Sequence, residues 1–284
     1  MVAMAIGLVV VGAVMTNYLN NTSATRRTNA LAQVSSDASL AMGILRNHIA
    51  VAGFAQPTGV DATGKMLLTP IGQGIVGCAG SAMTATVTTS NSPAAWSCDA
   101  TVTPSDSFLV RYQTDASVSP LTKTGNVPMD CLGNDITPVS PNTTYIAENN
   151  FYVAPDSNGL PTLYCRTVNM AKSTVNSGGP LVENITELHL TFGVAASADK
   201  TQPIVKYVTA AQVGSLPDTL GAWDAVKAVR ICLVVRSAEA VLPVSDTSTS
   251  SYIGCDKAVH TPTDRFIYRA FTTTVVLNNR LTTL

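Results

Sequence analysis

The chain has 284 residues, 17 lysines and arginines against 18 aspartates and glutamates, and a formal net charge of -1, with charged residues only 12% of the total. That length is enough to bury a real core in one large domain or two small ones. The near-neutral balance, with no basic or acidic block, excludes the electrostatic footprint of a nucleic-acid binder. The charge deficit is made up by Ser, Thr, Asn, Gly and Ala, which is not the pattern of a disordered chain.

The first element is the run Met1–Met15 (MVAMAIGLVVVGAVM), which holds only apolar residues and glycine and is followed by no charge before Arg26-Arg27. As a helix it would be about 22 Å long at 1.5 Å per residue, slightly short of the roughly 20 residues that span a bilayer core. A secretory signal peptide carries positive charge before its apolar run and small residues after it. Here the basic pair follows, and Thr16, Asn17, Tyr18, Leu19, Asn20 and Asn21 stand behind the run.

The second element continues the first. From Ser23 to Val51 the apolar positions Leu31, Val34, Ala38, Met42, Leu45 and Ile49 recur at spacings of three and four, the period of an amphipathic helix with one buried stripe. The nearest proline is Pro57, and Gly53 supplies a stop. The sequence therefore predicts one long helix from Met1 to about Ala52, apolar all round in residues 1–25 and on one face in residues 26–54. Gly7, Gly12 and the polar patch Thr16–Thr25 are the places where it would bend or unwind.

Beyond Gly53 the texture changes to short runs punctuated by Gly, Pro, Asn and Asp. Phe108–Tyr112, Thr162–Arg166, Glu187–Phe192, Ala228–Arg236 and Phe266–Leu277 read as strands. Asp156-Ser157-Asn158-Gly159 reads as a turn between two strand candidates. A long helix with one apolar stripe and strands with one apolar face bury each other most simply by packing together. The expected fold is α+β: the helix lies on an antiparallel β-sheet head at residues 55–284, with 55–137 a loop-rich insertion carrying a few strands of its own.

Cys78, Cys98, Cys131, Cys165, Cys232 and Cys255 are widely spaced, without a C-x-x-C pair, and the three histidines lie far from them in sequence. Disulfides in an oxidising compartment explain this better than a zinc site. Six cysteines allow about fifteen pairings. Sequential pairing is expected because each neighbouring pair brackets a plausible loop or hairpin: Cys78–Cys98, Cys131–Cys165 and Cys232–Cys255.

Chemistry-bearing motifs are sparse. Gly72-x-Gly74-x-x-Gly77 fits a dinucleotide fingerprint in letters alone, since Cys78, Gly80 and a Ser/Thr run follow it where a helix should start. Asp156-x-Asn158-Gly159 resembles the opening of a calcium loop, but Thr167 stands where the bidentate acid belongs. No metalloprotease, nucleophile-elbow or P-loop pattern occurs, and no local acid–base pair. No catalytic residue, cofactor or metal is assigned.

Several segments resemble a known family. MVAMAIGLVVVGAVMTNYL reads as the direct continuation of a type IV pilin N-terminus. LRNHIAVAGF (45–54), NGLPTLYCR (158–166), LVENITELHLTFGV (181–194), AWDAVKAVRICLVVRS (222–237) and FIYRAFTTTVVLNNR (266–280) are similar to PilW-type pilin-like proteins, leaving Gln56–Thr137 poorly matched. The family's processing site, terminal phenylalanine and acidic fifth residue have no counterpart from Met1 onward. The resemblance implies a non-enzymatic subunit of an extracellular filament, stored in the bacterial inner membrane before assembly. Its implied partners are identical subunits, other pilins and the assembly machinery. Ile6, Leu8, Val9, Val10, Val11 and Val14 would form the filament core, and Leu31, Val34, Ala38, Met42, Leu45 and Ile49 would pack against the head. The alternatives are a minor pilin that primes or tips assembly, a tip adhesin using residues 55–137, or a membrane-anchored enzyme.

Overall fold

The computed structural model describes residues 2–60, 62, 66–68, 71–87, 92–115, 120–122, 125–139, 144–170, 172–196, 203–216, 222–242, 251–277 and 279. Met1, the first residue of the expected helix, lies outside them. In chain order the elements are helix α1 (Val2–Ala50) and strands β1 (Pro57–Val60), β2 (Met66–Leu68), β3 (Ile75–Cys78), β4 (Ser81–Thr86), β5 (Ala95–Val102) and β6 (Ser107–Thr114). Then come β7 (Tyr145–Pro155), β8 (Pro161–Asn169), β9 (Thr174–Val175), β10 (Gly179–Glu183), β11 (Ile185–Ala195) and β12 (Ile204–Val208). The chain continues through short helix α2 (Ala210–Gly214), a 3-10 turn (Ala222–Ala225), β13 (Val226–Arg236), β14 (Tyr252–Ile253), β15 (Val259–His260) and β16 (Tyr268–Val276).

The fold is α+β. α1 runs unbroken through Gly7, Gly12 and Thr16–Thr25, the positions where the sequence allowed a bend. Its polar residues there satisfy themselves locally: Thr16, Thr22 and Thr25 donate their hydroxyls to the carbonyls of Ala13, Tyr18 and Asn21 one turn back. At 49 residues α1 is roughly 70 Å long at 1.5 Å per residue.

Two large antiparallel sheets build the head, beside the two-stranded pairs β1–β2, β4–β5 and β14–β15. One runs in the order β10-β8-β7-β6-β3, with β9 added beside β8; the other runs β12-β11-β13-β16. The chain crosses between them at Asn184, whose φ of 64° turns β10 into β11. Asp106 locks the sheets together: its carboxylate accepts the N–H groups of Gly80 and Leu190, and its own N–H donates to the Leu188 carbonyl. The C-terminal half of α1 packs on β10, β13 and β16. One core results, joining Val34, Ala38, Leu45 and Ile49 to Phe108, Phe151, Leu188, Phe192, Ile231 and Leu233.

Candidate assembly helix and its junction with the head

α1 has two physically different halves. Ile6, Leu8, Val9, Val10, Val11 and Val14 are between 55% and 77% exposed, and nothing among the described residues buries them. Among the described residues, α1 is the helix long and apolar enough to cross a membrane, and its most apolar window is wholly unburied. Lower down, Ala30, Val34, Ala38, Ala41, Met42, Leu45 and Ile49 are buried against the sheets. Leu31 is half-buried beside a satellite cluster of Ala30, Leu242 and Ile267. The neighbouring alanine, not the leucine, takes the inward position there, a distinction that spacing alone does not make.

The helix ends where two backbones nearly touch. Gly53 has φ +74°, and a Cβ on Gly74 would lie 2.4 Å from the Gly53 Cα. Only hydrogen fits between them. The exit segment then behaves as an extra rung of β6: Gly53 N–H donates to the Arg111 carbonyl, Gln113 N–H to Phe54 and Arg111 N–H to Gly74. The three glycines of the apparent dinucleotide fingerprint thus have packing roles. Gly72 adopts φ +75°, Gly74 admits Gly53, and Gly77 lies under the Phe192 ring inside β3. The motif leads into a strand, so no helix N-terminus is available for a phosphate.

Beside this junction sits a polar trio. His48 of α1 comes within 3.3 Å of the Asn149 amide and 3.5 Å of the Tyr112 hydroxyl, over the Phe151 ring. Burial pushes the His48 pKa down to about 4, against the opposing charge of Asp130. Burial likewise raises Tyr112 to about 12. A neutral imidazole that bridges helix to sheet is a packing group, poorly suited to cycling protons near neutral pH.

Arg111 and Glu148 form a buried ion pair across β6 and β7. Arg111 also donates to the Ala94 carbonyl, while Glu148 accepts from Ala94 N–H and the Trp96 indole. Burial raises the Glu148 pKa, and the Arg111 charge holds it back. The pair therefore fastens the β4–β5 hairpin onto the sheet.

Disulfides join Cys78 to Cys98, Cys131 to Cys165 and Cys232 to Cys255, and no free cysteine occurs. The first clips the β4–β5 hairpin to β3, the second holds the 125–139 loop to β8, and the third ties β13 to the loop between β14 and β15. Asp156 accepts the N–H groups of Asn158 and Leu160, which closes a turn and uses the oxygen a calcium ion would need. His189 lies within β11, 3.1 Å from Glu187. No cluster of metal-ligating side chains exists among the described residues.

Residues 150–279 match the model of a family described as PilW, the type IV pilus-assembly protein W. The structure of a type IV-like pilin from Thermus thermophilus aligns over 87% of this chain and 98% of its own, with 11% sequence identity and a TM-score of 0.39. No curated protein sequence matches the chain.

Proposed function

We propose that this type IV pilin-like chain, of the PilW type in residues 150–279, is a structural subunit that assembles into a filament through the apolar half of α1. A pilin-type pilus component with an N-terminal apolar helix is suited to a membrane first and a pilus afterwards. The observation that supports polymerisation is the uncovered run Ile6–Val14 on a helix whose other half buries one face in the head. A helix apolar all round is stable in lipid, and equally stable among like helices. Head-to-tail contacts that do not close generate a filament.

The role is structural, not catalytic, with identical subunits, other pilins and the assembly machinery as partners. The family match favours a second reading, a minor subunit that primes or tips assembly. Counting copies of the chain in sheared filaments tests the choice. Stoichiometry equal to the bulk subunit supports the first reading; a few copies per filament supports the second.

A further inference from the structure

A cleft of about 740 Å³ opens where α1 leaves the head, lined by Leu19, Arg26 and Arg27 on the helix and Glu239, Val241 and Arg265 on the head. It lies just beyond the first buried contacts of α1, where Ala30 meets Leu242 and Ile267. The head wall is rigidly built: Leu242 N–H donates to the Arg265 carbonyl, and the Arg265 Nε returns a bond to the Leu242 carbonyl at 2.6 Å. Ser237 fixes the same loop, accepting from Ile267 N–H and donating to the Glu239 carbonyl. Three arginines and one glutamate therefore line one crease.

The depth of that crease relative to the apolar run decides what fills it. Leu19 is the last large apolar residue before the polar stretch Asn20–Thr25, and Tyr18, a residue type enriched at membrane interfaces, precedes it. Arg26 is seven residues further on, about 10 Å along the helix. Each headgroup layer of a bilayer is roughly 5–8 Å thick. With residues up to Leu19 in hydrocarbon, the Arg26 backbone stands a few Å beyond that layer. Helical side chains lean toward the N-terminus, however, so the long Arg26 and Arg27 side chains reach back to the lipid phosphates beside the Arg265 wall of the same cleft.

Resting on the membrane-stored stage of the proposed function, we infer that this cleft binds the headgroup of an anionic phospholipid while the subunit waits in the bilayer. The phosphate would sit between the helix and head arginines, with Glu239 moderating the attraction so that the subunit can be extracted.

The test uses the full chain, released from detergent into a mixture of neutral phosphatidylcholine vesicles and vesicles with three parts phosphatidylglycerol in ten, separated by flotation. The unmodified chain should favour the anionic vesicles by at least about tenfold, less so as salt rises. Arg265→Gln should lose most of that preference although Arg26 and Arg27 remain, and Glu239→Gln should increase it severalfold. Lys257→Gln, on the exposed turn before β15, should change nothing. Equal partition of the unmodified chain overturns the inference and leaves the membrane reading intact. Full preference in Arg265→Gln also overturns it, since charge on the helix alone would then suffice. A chain that floats with neither vesicle overturns the membrane reading itself.

Discussion

The Arg111 guanidinium and the Glu148 carboxylate meet in the interior of the larger sheet with side chains 7% and 0% exposed. Neither charge has water to fall back on, so each depends on the other and on the backbone of Ala94. Removing one partner from such a pair typically costs about 3–5 kcal/mol, because the other is left buried and unpaired. Arg111→Met and Glu148→Leu should each destabilise the head by about that much in denaturant unfolding. The double variant should lose less than the sum of the two. Strict additivity would mean that the pair is not coupled.

The glycine junction gives an opposed pair of expectations. Gly74→Ala drives a methyl into the Gly53 backbone and should cost at least about 2 kcal/mol, as overpacking does. Gly43→Ala adds a methyl in open space within α1 and should stabilise by about 0.5–1 kcal/mol through helix propensity. Thermal melts of the two variants should move in opposite directions.

His48 makes stability depend on acid. Its folded pKa of about 4 lies below the ordinary value of 6.5, so between those values the unfolded chain binds the extra proton. Its contribution is complete above pH 6.5 and is lost as pH falls toward 4. The shift corresponds to at most about 3 kcal/mol. Tyr112 and Asp130 are the titratable groups that act on it, and Tyr112 stays protonated throughout this window. His48→Gln should flatten unfolding free energy across pH 4–6.5. A slope unchanged from that of the unmodified chain would place the titration elsewhere.

Much of this architecture is legible from periodicity. The stripe from Val34 to Ile49 and the runs that became β6, β8, β11, β13 and β16 carry clear three-four or β-branched patterns. β7 does not. Its middle reads Glu148-Asn149-Asn150, yet all three are buried, because Arg111, His48 and the Phe108 carbonyl are brought to them by other elements. Pattern reading treats such residues as loop-forming, and only tertiary partners reverse that. β3, β4 and β5 are similarly masked, since Gly77 and the Ser/Thr-rich hairpin owe their order to Phe192 and to the Cys78–Cys98 bridge. The cleft at Arg265 is illegible for a different reason: its two walls are more than 210 residues apart in sequence.

The apolar half of α1 should be dispensable for folding. No residue from Val2 to Asn21 is buried in the head. A chain lacking residues 1–25 should therefore be a soluble monomer that keeps its three disulfides and the thermal stability of the full head. Aggregation or loss of the disulfides on size-exclusion and peptide mapping would mean that the head needs the segment.

The central claim is that burial of this segment among subunits drives assembly. Leu8, Val9, Val10, Val11 and Val14 are exposed in the single chain, and burying five such side chains is worth on the order of 10 kcal/mol before entropic costs. An unpaired carboxylate placed among them is expensive to bury. Electron microscopy of filaments from cells whose only copy of the subunit is Val10→Asp tests this most directly, with the folded head verified by its disulfides. The account predicts that the variant subunit is absent from filaments. Normal filaments that contain the variant subunit would contradict it and reduce α1 to a membrane anchor.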